Sequence, residues 1–448
     1  MATINPFRGL RYNPESVENL ADVVTPPYDV IDPAAQERYY QKHPYNIIRL
    51  EYGKTYPDDG DNNNRYTRAA ADFNKWINEN VLDPENEPAL YLYEQKFTVD
   101  GERKIRTGFI CAVKLEPYEK GIVLPHEETL PKHKADRLSL MRACSANFSP
   151  IFSLYADPES AVTATLREVS KRLPDASFTD ENGEMHRLWV VVDTAAIERV
   201  KQLMADKRIF IADGHHRYET ALNYRAEREK ADPSPSGNPD PAYNYVMMTL
   251  VNLYDPGLVV LPTHRLVKNA GENDIAALPT RIQENFLLEE YPPVSGRDDF
   301  KEFLAELSRR GLDPSGRLLH RHAFGIYLGG RLYLASLKNE NELGSLMQQG
   351  KSPAWQGLDV SVLHSLILEK YLGIGEELRA RGDHITYSRE EEGALAAVDR
   401  GEFQAAFFMN PTLVEEVTNV AGNGEKMPQK STYFYPKLIT GLVINSLD

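Results

Sequence analysis

An acid, a glycine, two histidines and an arginine stand together as Asp213, Gly214, His215, His216 and Arg217, after the apolar residues 209–211 and before a stretch of helix formers. A strand that ends in Asp-Gly and passes at once into a helix presents backbone N–H groups where the helix dipole favours an anion. Phosphate suits such a turn. Gly214 lets the backbone approach closely, Arg217 can fork onto two phosphate oxygens, and a histidine adds a donor. Asp213 has two roles open to it: capping the helix, or helping to hold a magnesium ion that accompanies a nucleotide. The plainer alternative makes Asp213 an N-cap, Gly214 a turn and the remainder a solvated first turn. No metal site is assigned to His215 and His216, because adjacent helical side chains diverge by about 100°.

Two further clusters carry chemistry. Pro125-His126-Glu127 precedes Lys132, His133, Lys134 and Arg137, a basic group in an otherwise acidic chain. A carboxylate fixed near cations can act as general base toward a hydroxyl, and the cations can bind charged substrate groups; the same residues also suit a solvated loop. Near the C-terminal end, Lys430-Ser431-Thr432 looks like the close of a P-loop, but Gln429 stands where that motif requires glycine and Tyr-Phe-Tyr-Pro follows instead of a helix. A Walker A assignment is therefore rejected. An extended Lys-Ser-Thr run can still donate several hydrogen bonds to phosphates.

Composition narrows the class of partner. The formal net charge is −15, which disfavours nucleic acid unless basic residues are concentrated locally. Cys111 and Cys144 are too few for a disulfide framework and form no CxxC pair, so a reducing cytoplasm is the expected location. No apolar run approaches the roughly 20 residues that span a bilayer, and no membrane partner is expected.

The elements that must position these residues follow from periodicity. Ala69, Phe73, Trp76 and Ile77 share one face of a helix over residues 66–81, and a hairpin is expected around residues 99–102. Strands are expected at 150–155, 188–193 and 208–212, with helices at 158–172 and 194–205 between them. YVMMTLVNL is an apolar strand, and residues 385–420 repeat a strand–helix pattern. This alternation makes the fold class α/β (α+β). Three regions are expected: an N-terminal region 1–85, a core 86–272 that holds the turn of residues 213–217, and a C-terminal α/β domain 273–448.

Through PFRGLR, VVTPPYDVI, PHEET, DGHHRYETA and MPQKSTYFYPK, the chain is identified as a member of the domain-of-unknown-function 1015 family. The Asp-Gly-His-His-Arg turn also resembles the phosphate-binding turn of the ParB and sulfiredoxin superfamily, and within it the free-serine kinases. That resemblance implies a ParB/sulfiredoxin-like core, Glu127 as base with His126 beside it, and Asp213, Gly214, His215, His216 and Arg217 as the phosphate site. It further implies Lys430, Ser431 and Thr432 closing over the nucleotide, and Lys132 and Arg137 toward substrate. The expected ligands are ATP or ADP, with Mg2+, and a small hydroxylated metabolite, first of all L-serine. Two other functions stay open, a nucleotide-binding switch that controls a partner and a metal-dependent hydrolase drawing on the same histidines.

Overall fold

The structure, a computed structural model, describes residues 2–129, 131–231, 240–294, 296–311 and 322–447. The chain divides into two compact units, Met1–Val259 with Pro436–Asp448, and Val260–Tyr435. The N-terminal region is thus part of the first unit, as is the segment that follows the second.

Nine strands build the main sheet of the first unit: β1 (Ile4–Asn5), β2 (Leu90–Val99), β3 (Glu102–Lys114), β4 (Val123–Leu124), β5 (Ile151–Tyr155), β6 (Ala176–Thr179), β7 (Met185–Val191), β8 (Ile209–Asp213) and β9 (Tyr245–Asn252). Their order is β4-β8-β5-β9-β3-β2-β7-β6, with β1 beside β3. Only the β4–β8 and β5–β9 pairs are parallel. The β2–β3 turn carries Asp100 at φ 50° and Gly101 at φ 78°, the left-handed pair that a two-residue hairpin demands. Every residue of β9 is buried, which its unbroken apolar run requires, since it lies between β5 and β3.

Helices follow their apolar faces and caps. In α1 (Arg65–Asn78), Asn64 forms a capping box with Thr67, and Ala69, Phe73 and Trp76 are buried. The α2 helix (Pro131–Cys144) packs on both α1 and α5 (His215–Ala231), while α3 (Ala161–Val169) packs on α4 (Thr194–Met204). Asp193 caps α4 through Ala196 N at 2.7 Å. One apolar core joins Val113, Ile151, Ile209, Ile211, Met248 and Tyr218, so the strand and the helix that flank Gly214 are both anchored in it.

The second unit contains β10 (His264–Val267), β11 (Phe286–Glu290), β12 (Ala323–Leu328), β13 (Arg331–Leu337), β14 (Ile385–Ser388) and β15 (Ala405–Phe408) in the order β11-β13-β12-β15-β10-β14. All pairs are antiparallel. Its helices include α6 (Glu272–Arg281), α7 (Arg297–Gly311), α8 (Glu391–Asp399) and α9 (Val414–Gly422). Alternation along β12 sends Phe324 and Ile326 into one core and Ala323 and Tyr327 into another. The strand–helix repeat in the sequence therefore builds an antiparallel α+β unit. No helix among the described residues is long and apolar enough to cross a membrane.

Candidate active site

The turn forms where β8 stops. The register of β8 against β5 shifts between Ile211 and Asp213, Gly214 adopts φ 95°, and α5 begins at His215. Glycine is required there, because a side chain is strained at that φ and a Cβ would stand 2.9 Å from the Arg217 guanidinium. The first intrahelical bond runs from Tyr218 N–H to Gly214 O, so the amides of residues 215–217 lie outside the helix's own ladder.

His126 and Glu127 reach this turn from the segment after β4. The His126 N–H donates to His215 Nε2 at 3.2 Å, and His126 Nδ1 lies 2.7 Å from Ile211 O. A carbonyl can only accept, so His126 carries its proton on Nδ1. His215 Nε2 accepts, which puts the His215 proton on Nδ1, and that atom faces Glu127 Oε2 at 3.8 Å. The separation exceeds a hydrogen bond and leaves an electrostatic contact between ring and carboxylate. Burial pushes His126 down to about 4, so its imidazole is neutral at physiological pH.

Asp213 is flanked by two cations, Arg217 Nη2 at 3.5 Å from Oδ2 and Lys437 Nζ at 3.4 Å from Oδ1. With a cation facing each oxygen, this carboxylate is a poor fit for magnesium. Arg217 is folded beneath the turn and donates from Nη1 to Pro150 O at 2.6 Å, while its buried Nε has no hydrogen-bond partner. It therefore stands as a fixed charge behind Gly214 more than as an open fork.

Arg137 is buried against Glu51 at 3.2 Å and Asp136 at 2.6 Å, with its guanidinium 4.2 Å over the Tyr28 ring. Burial raises the Glu51 carboxyl, against the pull of Arg137, Arg217 and Ser149. Arg137 and Arg217 also line one small cavity with Glu51, Asn147, Ser149 and Thr220, with about 40 Å³ open to the centres of water-sized molecules. That is room for a few waters or one compact polar group. Lys132 is exposed on α2, and the rings of His133 and His216 meet at 5.1 Å where α2 packs on α5.

Lys430, Ser431 and Thr432 belong to the second unit. Lys430 is exposed at φ 56° and its carbonyl accepts from Arg265 at 3.0 Å. Ser431 is buried; its hydroxyl donates to Pro428 O, and its carbonyl accepts from Thr412 at 2.7 Å. Two residues at the first unit's turn escaped sequence reasoning. Lys437 lies inside the motif that drew attention to Lys430, but its proximity to Asp213 has no local signal. Glu51 sits in the N-terminal region with nothing in its surroundings to mark it.

Fold and site together define a mixed α/β protein whose strand-to-helix turn at Gly214 is faced by a carboxylate. The chain belongs to the family described as "Protein of unknown function (DUF1015)", whose model matches residues 4–361. Among curated proteins none matches it. Similar solved structures include a free serine kinase in complex with AMP, at 13% identity and TM-score 0.34, covering 70% of this chain and 84% of that one. A conserved hypothetical protein from Pyrococcus furiosus is 12% identical at TM-score 0.33, covering 71% and 89%. SbnI with C-terminal truncation from Staphylococcus aureus is 11% identical at TM-score 0.33, covering 74% and 85%.

Proposed function

We propose that the chain is a nucleotide-dependent phosphotransferase that phosphorylates the hydroxyl of a small free amino acid, L-serine being the first candidate. The observation that carries this reading is the meeting of two motifs distant in sequence, with Glu127 Oε2 3.8 Å from His215 Nδ1 at the head of α5. In this reading the amides of residues 215–217 cradle the phosphates of ATP or ADP, and Arg217 adds its fixed positive charge from beneath the turn. Glu127 accepts the proton of the substrate hydroxyl as its oxygen bonds to phosphorus, and the bond from phosphorus to the departing nucleotide breaks. His215, whose Nδ1 faces Glu127 Oε2 at 3.8 Å, helps to position that carboxylate, and the His126 backbone N–H in turn fixes the His215 ring. The small cavity beside Arg137 and Arg217 suits the acceptor's carboxylate. Magnesium expected to travel with the nucleotide is assigned no protein ligand.

Incubation of the full chain with ATP or ADP, magnesium and pooled amino acids, followed by mass spectrometry, tests the reading. A phosphorylated amino acid supports it. Nucleotide binding without turnover would leave a switch, and chelator-sensitive release of a metabolite would mark a hydrolase; either ends the kinase assignment.

A further inference from the structure

We infer that the turn of the β6–β7 hairpin is a binding site for a divalent transition metal, zinc above all, held by Asp180, Glu184 and His186. It does not depend on the phosphotransferase reading.

One ligand atom from each of the three residues falls within 4.8 Å of the others, and Glu184 and His186 are buried. His186 is wholly buried, and its Nε2 makes no hydrogen bond but faces Asp180 Oδ2 at 3.4 Å. An N–H···O bond is commonly 2.7–3.2 Å long. Two ligands about 2.1 Å from a tetrahedral zinc stand about 3.4 Å apart, so the observed spacing suits a shared ion.

The surroundings hold each ligand in place. Asp180 Oδ1 accepts from Asn182 N and Glu184 N, both at 2.9 Å, which leaves Oδ2 toward the histidine. Gly183 at φ 79° closes the turn. The imidazole stacks on Phe178 at 4.9 Å and lies 6.0 Å from the Tyr93 ring, and its Nδ1 meets the Tyr93 hydroxyl at 2.7 Å. If Nδ1 donates to that hydroxyl, the lone pair of Nε2 is directed at the carboxylates, the arrangement that outer partners of metal-bound histidines enforce. One imidazole and two carboxylates form a donor set of borderline hardness, suited to zinc with water completing the shell. Tyr93 lies on β2, the strand paired with β7, so the ligand histidine is backed by its neighbour in the sheet.

Calorimetry of the metal-free full chain with zinc chloride, with magnesium chloride as comparison, tests this. One zinc per chain at this site is expected. His186→Gln or Asp180→Asn should abolish it, and Tyr93→Phe should weaken it about 10- to 100-fold as a positioning residue. The cobalt-loaded wild type, which needs no variant to fold, should show the intense visible bands of a four-coordinate ion. Absence of zinc binding, zinc binding that survives both ligand substitutions, or an octahedral cobalt spectrum would each overturn the proposal.

Discussion

Gly214→Ala isolates what the turn demands of the backbone. At φ 95° an alanine is strained by about 1–3 kcal/mol, the cost of holding a side chain in a sparsely populated region. Its Cβ would also stand 2.9 Å from the Arg217 guanidinium, which must swing away and loosen its 2.6 Å bond to Pro150 O. Losing part of a charged hydrogen bond adds about 1 kcal/mol. In an Arg217→Ala background the second contribution vanishes and the first persists, so a double-mutant cycle should give a coupling of about 1 kcal/mol. Trp76 and Trp189 lie in the first unit and Trp355 in the second, so urea unfolding of a Trp355→Phe protein by tryptophan fluorescence reads the first unit alone. A cost for Gly214→Ala below about 0.5 kcal/mol in both backgrounds would refute the strained turn. Zero coupling would refute the pressure of Arg217 on it.

Glu127→Gln should keep nucleotide affinity and lower turnover by about 10²- to 10⁴-fold, measured by calorimetry and product mass spectrometry. Arg217→Ala should instead weaken nucleotide binding by about 1 kcal/mol in calorimetry, the worth of a fixed charge behind the helix N-terminus and not of a direct phosphate contact. His126 has a folded value of about 4 against an unfolded 6.5, so its contribution to stability is present above 6.5 and is lost as pH falls toward 4. The loss amounts to about 3 kcal/mol at most, and His126→Gln should flatten that slope in urea titrations taken across the window. Arg137→Met should destabilise by about 3–5 kcal/mol because it strips the buried Glu51 carboxylate of its main counter-ion. Since burial already raises the Glu51 carboxyl, that loss should be smaller in mildly acidic buffer than in mildly alkaline buffer, where the carboxylate must stay charged.

Local chemistry was legible in the sequence because it is local. Asp-Gly after an apolar strand and before helix formers can hardly be anything but a strand-to-helix turn, and the structure places Gly214 at a positive φ with α5 starting at the next residue. Apolar periodicity likewise located α1, α4, β5, β7, β8 and β9, since burial of one face or of both is written into residue spacing. Strand pairing was not legible, because register is decided by partners far away in sequence. The strand–helix repeat of residues 385–420 does not say which strand its members pair with, and in the structure β14 and β15 flank β10, more than 100 residues earlier, each antiparallel to it. What each charged side chain faces was also beyond the sequence. Arg137 reads as an exposed cation in a basic cluster until folding sets it against Glu51, 86 residues earlier. Asp213 reads as either a helix cap or a magnesium ligand, and the second role recedes only when Lys437 and Arg217 are found on either side of it. Residue types determine which groups are able to bind or transfer a proton. Only the tertiary structure decides which of them have already spent their charge on one another, because a pair of charges is defined by distance in space and not by distance along the chain.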